Sequence, residues 1–404
     1  MISGGAFERV LPDGVGPATL GVRGGLNRSG FEETSEALYL NSGFVYASAE
    51  AAEAAFTGDS PHYVYSRYGN PTVATFQERM RLLDGAEACF ATASGMAAVF
   101  VALGALLRAG DRLVAARSLF GSCFVVCNEI LPRWGVETVF VDGEDLDQWE
   151  AALAEPTAAV FFETPANPMQ TLVDVRKVCD LAHAAGAKVV LDNVFATPLL
   201  QHGFELGADV IVYSGTKHID GQGRVLGGAI LGSQEYIEGP VKTLMRHTGP
   251  ALSPFNAWTL LKGLETMPLR VRQSTESALR IARYLDEHPA VSWVRYPFLE
   301  THPQYKLATD QMNGGGTVVT FELKAAADAA KKRAFEVLNG LRIIDISNNL
   351  GDAKSLITHP ATTTHRAMGP EGRASIGLSD GVVRVSVGLE DIEDLLGDLD
   401  HALR

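Results

Sequence analysis

Cysteine is scarce in this chain. Four residues, Cys89, Cys123, Cys127 and Cys179, lie scattered through apolar segments. They make neither a zinc-ligand spacing nor a disulfide framework, so they read as packing residues of a protein in a reducing cytoplasm, with no metal expected. Basic runs are missing too. The formal net charge is −14, and nothing would track a phosphate backbone, which argues against nucleic acid as a partner. Long hydrophobic runs are also wanting. The apolar stretch at residues 97–107 falls well short of the roughly 20 residues that span a bilayer, so no membrane partner is expected. Met1 to Gly14 lacks a basic start followed by an apolar core, and no signal peptide is expected. No segment has the Gly-Lys-Ser/Thr ending of a P-loop. Gly221-Gln222-Gly223-Arg224-Val225-Leu226-Gly227 comes near a dinucleotide fingerprint, yet it has one residue too many before its last glycine and precedes a strand. There is no internal repeat and no low-complexity segment. What remains is a globular composition, 46% hydrophobic and 20% charged. At 404 residues the chain is too long for one ordinary core, so two or three domains are expected.

The chemistry begins at Ser214-Gly215-Thr216-Lys217. This tetrapeptide follows the apolar run Val210-Ile211-Val212-Tyr213 and leads into a glycine-rich loop. A lysine there offers an amine for a Schiff base, the hydroxyls offer donors to a phosphate, and the glycines let the backbone approach something bulky. A lysine after a strand is ordinarily a solvated amine. Its companions change the reading. Lys188-Val189-Val190-Leu191-Asp192 has the pattern of a buried parallel strand ending in a carboxylate. One crossover, expected to be helical over residues 198–206, separates it from the strand before Lys217. Parallel strands joined in this way end at one edge of the sheet, so Asp192 and Lys217 are expected to face one crevice. Pyridoxal phosphate uses such a pair: the lysine takes the aldehyde, and the aspartate keeps the pyridine nitrogen protonated.

A third element is Ala93-Ser94-Gly95-Met96-Ala97-Ala98, between the apolar stretch Ala88-Cys89-Phe90-Ala91 and a helical run. Free amides at a helix N-terminus gather an anion. Ser94 reads as the cap. The amides of Gly95 and Met96 are assigned to the cofactor phosphate, with the hydroxyls of Ser214 and Thr216.

Residues 1–70 read as an extended arm, helical only near 47–56. Residues 71–262 alternate apolar strands (112–115, 137–141, 158–162, 189–192, 210–213, 228–231) with helical segments, the signature of a mostly parallel α/β sheet. Residues 263–404 read as a smaller α+β domain. Its helices are expected at 271–287, after Pro268, and near 326–338 and 391–403. Its strands are expected at 292–296, 316–323, 342–346 and 382–387.

The chain resembles the cystathionine γ-synthase group of pyridoxal-phosphate enzymes. The likeness is carried by Tyr65-Ser66-Arg67-Tyr68-Gly69-Asn70-Pro71-Thr72, Ser94-Gly95-Met96-Ala97-Ala98, Glu163-Thr164-Pro165-Ala166-Asn167-Pro168, Leu191-Asp192-Asn193, Ser214-Gly215-Thr216-Lys217 and Arg384-Val385-Ser386-Val387-Gly388-Leu389-Glu390. Within the group it is most similar to sulfhydrylases that act on O-succinylhomoserine, through Asn348-Asn349-Leu350-Gly351-Asp352-Ala353-Lys354-Ser355-Leu356 and Thr358-His359-Pro360-Ala361-Thr362-Thr363-Thr364-His365. The resemblance implies the aspartate-aminotransferase-like fold (fold type I). It also implies γ-replacement on an O-acylhomoserine by sulfide, in methionine biosynthesis. Sister activities on the same scaffold are cystathionine γ-synthase, O-acetylhomoserine sulfhydrylase and γ-lyase.

By the same resemblance Lys217 and Tyr65 are catalytic, and Arg384 and Asn349 bind the substrate α-carboxylate. Phe120 stacks on the cofactor where many relatives have tyrosine, which keeps the ring and loses the phenol. Asn167 meets the cofactor ring oxygen. Tyr65 and Arg67 reach the cofactor phosphate of a neighbouring subunit, which implies a homotetramer built from dimers with shared active sites. A succinyl ester brings a second carboxylate; Arg117, Arg246, His218, His365 and Arg366 are the candidates to receive it.

Overall fold

A computed structural model describes residues 11–404, so most of the Met1–Gly14 reading falls outside the described residues. The strands are β1 (Ala88–Thr92), β2 (Arg112–Ala116), β3 (Glu137–Val141), β4 (Ala159–Glu163), β5 (Lys188–Asp192), β6 (Val210–Ser214) and β7 (Gly228–Gly232). In the second sheet they are β8 (Val291–Arg295), β9 (Val318–Leu323), β10 (Asp345–Ile346), β11 (Leu356–Thr358) and β12 (Val382–Ser386). The first sheet has seven strands in the order β1-β7-β6-β5-β4-β2-β3. Only β7 runs against its neighbours; β2 to β6 pair in parallel.

Every residue of β1, β4 and β7 is buried, which is why these strands read as unbroken apolar runs. Successive side chains still part to opposite faces. Val189, Leu191, Ile211 and Tyr213 enter the apolar layer under the helices Pro71–Asp84 and Val175–Ala184. Val190, Val210 and Val212 enter the layer under the helix Gly95–Leu106. The sheet is thus covered twice, and the carboxyl ends of β4, β5 and β6 are left as the open edge where a ligand can sit.

The second sheet has the order β10-β11-β12-β9-β8 and is antiparallel except between β10 and β11. A 33-residue helix, Pro254–Asp286, joins the two parts. Leu260, Leu264 and Met267 pack beneath the first sheet, and Ala278, Ile281 and Leu285 pack beneath the second.

Four expectations of secondary structure need correction. The long helix does not start after Pro268 but at Pro254, capped by Ser253, so the division expected at residue 263 lies inside it. Pro268 removes the N–H that would bond Leu264 O. The backbone of Gly21 packs against that carbonyl, so closely that a Cβ there would lie 2.8 Å from it. Arg270 Nη2 donates to the neighbouring Gly263 O at 2.7 Å. The arm holds a second helix, Pro17–Arg23, docked on the long one. The β5–β6 crossover is helical only over Thr197–Leu200. The chain then turns tightly at Gly203, where a Cβ would come within 2.7 Å of Leu191 and Ile211 side chains. Finally, β11 was not expected, and β10 is reduced to two residues. No described helix is long and apolar enough to cross a membrane.

Candidate active site

The open edge of the first sheet, closed over by β12 and the loop before β11, holds a cavity of about 230 Å³. Ser94, Gly95, Met96, Phe120, Asn167, Asp192, Ser214, Thr216, Lys217 and Arg384 all line it. Asn349 joins them through a hydrogen bond. Tyr65 and Arg67 do not line it; they sit on the arm, with Tyr65 42% exposed.

Lys217 lies in the irregular turn Gly215–Ile219 that follows β6. Its Nζ donates to Asn349 Oδ1 at 2.6 Å. Burial, with help from the Arg384 charge, lowers its pKa to about 8. Asp192 ends β5 and is buried, and among the described residues it accepts only from Val194 N, at 3.1 Å. Burial raises its pKa to about 7. A carboxylate held so dry favours a cationic partner, and a protonated ring nitrogen supplies one.

The turn after β1 makes an anion cradle. Ser94 Oγ accepts from Ala97 N at 3.1 Å and caps the helix Gly95–Leu106. The amides of Gly95 and Met96 precede the first intrahelical bonds and remain for an anion. The cradle is tight: a Cβ at Gly95 would stand 2.6 Å from Ser214 Cβ. A buried amine, a dry carboxylate and this cradle, within one cavity, fit pyridoxal phosphate.

Arg384, on β12, is 1% exposed. Nη1 donates to Asn167 Oδ1 at 2.9 Å, and Nη2 donates to Asn348 O at 2.9 Å and Asn349 O at 3.1 Å. Its Nε is buried with no partner among the described residues. An orphan donor on a guanidinium at the cavity wall is suited to a substrate carboxylate. Burial brings its pKa down to about 10, so it stays charged at neutral pH. Asn167 therefore meets the arginine, beside whatever it offers a cofactor.

Glu163 escaped the sequence reading as a site residue. It ends β4 in register with Asp192 of β5 and is buried. Its Oε2 accepts from Phe120 N and its Oε1 from Asn167 N, each at 2.9 Å. Burial and the Asp192 charge push its pKa well above the usual carboxylate value. It thus holds both the backbone of Phe120 and the asparagine that holds Arg384. The signal was present: residues 159–163 repeat the pattern of 188–192, an apolar run ending in an acid.

Of the candidates for a distal carboxylate, none lines the cavity. His218 is buried against Thr317 Oγ1 at 2.8 Å, and burial holds it near pKa 3, hence neutral. His365 bonds Asn167 O at 3.0 Å and Thr364 Oγ1 at 2.8 Å; burial brings it to about 4. Arg117 donates to Phe140 O at 3.3 Å. Arg366 is exposed. Arg246 lies against the arm, over the Tyr68 ring.

The sequence profile described as Cys/Met metabolism PLP-dependent enzyme matches residues 18–404. The O-succinylhomoserine sulfhydrylase of Mycobacterium tuberculosis H37Rv is 75% identical over 395 residues, covering 98% of this chain and 97% of that protein. The O-succinylhomoserine sulfhydrylase of Pseudomonas aeruginosa is 44% identical, covering 95% and 94%. Among solved structures, cystathionine gamma synthase from Xanthomonas oryzae pv. oryzae, in complex with aminoacrylate and cysteine, superposes with a TM-score of 0.91 at 34% identity, covering 97% of this chain and 98% of that one.

Proposed function

The chain belongs to the Cys/Met metabolism PLP-dependent enzymes, and from that membership we propose that it is an O-succinylhomoserine sulfhydrylase of methionine biosynthesis. The Cγ–O bond of O-succinylhomoserine breaks, succinate leaves with the bonding electrons, and sulfide forms the new Cγ–S bond of homocysteine. The observation that carries this is the near-full-length likeness to the mycobacterial sulfhydrylase.

Bound pyridoxal phosphate supplies the electron sink for charge left at Cα. The chain's residues do the rest. Arg384 clamps the α-carboxylate through its free Nε, braced by Asn167 and the Asn348–Asn349 carbonyls. Lys217 takes the Cα proton. Its depressed pKa leaves a useful share of neutral amine near pH 7, and Asn349 Oδ1 holds Nζ in place. Asp192 would hold the cofactor's ring nitrogen protonated through its carboxylate. Phe120, whose backbone is tied to Glu163, would supply an apolar face to the cofactor ring. No phenol stands at position 120, so proton traffic falls to Lys217, with Tyr65 assisting at the substrate amine.

The arm completes the site in trans in this reading. Phe31, Leu40 and Val45 are largely exposed on the single chain, a surface that another subunit would cover. Tyr65 and Arg67 then enter the neighbour's cavity and meet its phosphate, within a tetramer of two such dimers. A cytoplasmic setting suits the four free buried thiols.

The test is a steady-state comparison of O-succinyl- and O-acetylhomoserine, each with sulfide and with cysteine. Highest kcat/KM for the succinyl ester with sulfide is expected. Preference for cysteine, or release of a keto acid without nucleophile, would refute the assignment. For the arm, mixing Arg67→Ala with Lys217→Ala chains should restore partial activity; no recovery would refute shared cavities.

A further inference from the structure

Two arginines crowd one tyrosine on the arm's inner side. The guanidinium of Arg67 stands 4.8 Å from the Tyr68 ring centroid, and that of Arg246 stands 5.1 Å from the same centroid. Arg67 Nη1 also donates to the backbone carbonyl of Arg246, which ties the Arg67 side chain to the Arg246 backbone. Neither has a carboxylate partner among the described residues. Arg246 Nε is buried without a hydrogen-bond partner among the described residues. Two like charges gathered on one ring, with donors unspent, repel each other unless an anion sits between them. The segment after Arg246 is bonded to the phosphate turn: Ala93 N donates to Pro250 O at 2.7 Å. The cluster therefore borders the catalytic edge without lining the cavity of its own chain.

We propose that Arg246 is the receptor for the distal carboxylate of the succinyl ester, carried with Arg67 into the partner subunit's cavity. Among the described residues the cavity itself has two cations, Lys217 and Arg384. The first serves the proton and the second the α-carboxylate, so a second carboxylate finds no charge there. The phosphate is already provided with the Gly95 and Met96 amides, two hydroxyls and Arg67, which leaves the second guanidinium for the other anion. A planar fork suits a carboxylate. The inference rests on the substrate and shared-cavity readings above.

The experiment compares wild-type and Arg246→Gln holoenzymes with O-succinyl- and O-acetylhomoserine at saturating sulfide. Losing a charge-assisted pair should shift the ratio of kcat/KM, succinyl over acetyl, toward acetyl by roughly 10- to 100-fold. A change of merely structural origin would lower both esters together and leave the ratio alone. An unchanged ratio overturns the proposal. Should it come with weaker binding of pyridoxal phosphate to the cofactor-free protein, Arg246 belongs to the phosphate instead. If Arg246→Gln does not fold, Arg246→Lys carries the same test, because a point charge without the fork must still lower the ratio. The wild-type values alone decide the substrate reading, and the mixed-chain experiment alone decides the shared cavity.

Discussion

The pKa of Lys217 can be read through the capture of cofactor by the cofactor-free protein. Only the neutral amine attacks an aldehyde. An ordinary lysine at pKa 10.5 is neutral to about 0.03% at pH 7, whereas Lys217 at about 8 is neutral to about 10%. The difference is a factor of roughly 300 in reactive amine. Burial causes most of the depression, and the Arg384 charge adds to it. Stopped-flow absorbance after mixing cofactor-free protein with pyridoxal phosphate, between pH 7 and 10, should show a rate that climbs about fivefold from pH 7 to 8, gains roughly a further factor of two, and levels above about pH 9. A rate still climbing tenfold per unit near pH 9.5 would refute the depressed lysine. Asn349 refines the test, because its Oδ1 lies 2.6 Å from Nζ. Asn349→Asp places a carboxylate on that contact and should move the break upward by roughly one unit or more. An unmoved break would mean that Nζ does not face residue 349.

Two further outcomes follow from buried acids. Glu163→Gln leaves one acceptor for two backbone donors, Phe120 N and Asn167 N. kcat/KM for O-succinylhomoserine should fall roughly 10- to 100-fold, chiefly through KM, because Asn167 braces Arg384; an unchanged KM would remove Glu163 from the positioning of the clamp. Asp84 ends the helix Pro71–Asp84 with both oxygens buried and unpartnered. Burial raises its pKa from 3.8 to about 7. Its neutral form therefore contributes stability fully below about pH 4, and that contribution is lost as pH rises through about 7. Asp84→Asn should raise the free energy of unfolding at pH 8, by up to about 4 kcal/mol, and leave it nearly unmoved at pH 4, as read from denaturant unfolding; equal shifts at both pH values would refute the buried charge.

Much of the catalytic edge was legible in the sequence because parallel strands end together. A run that is buried on both faces must be apolar throughout, so the first polar residue after it marks the edge. That rule locates Asp192, Ser214 and Lys217 directly, and it would have found Glu163 had the same pattern been followed at residues 159–163. The Ser94 cap was legible for a local reason: a small hydroxyl before a helical run has one geometry. The crossover after β5 was misread because Pro198 to Leu206 has helical composition, while the space over Leu191 and Ile211 admits only a turn at Gly203. Pro268 misled for the opposite reason: a buried helix can keep a proline when Arg270 and Gly21 attend to the carbonyls around it.

What the amino-acid order determined by itself was local: strand periodicity, a capped anion turn, and an amine and an acid at strand ends one crossover apart. What only the tertiary structure decided was which distant groups share one dry space. Arg384 meets Asn167 across two sheets, Asn349 meets Lys217 from a loop, and Glu163 stands beside Asp192. Their charges and pKa values depend on exclusion of water and on separations of a few ångströms. Both are properties of packing between segments far apart in the chain, and no local pattern encodes them.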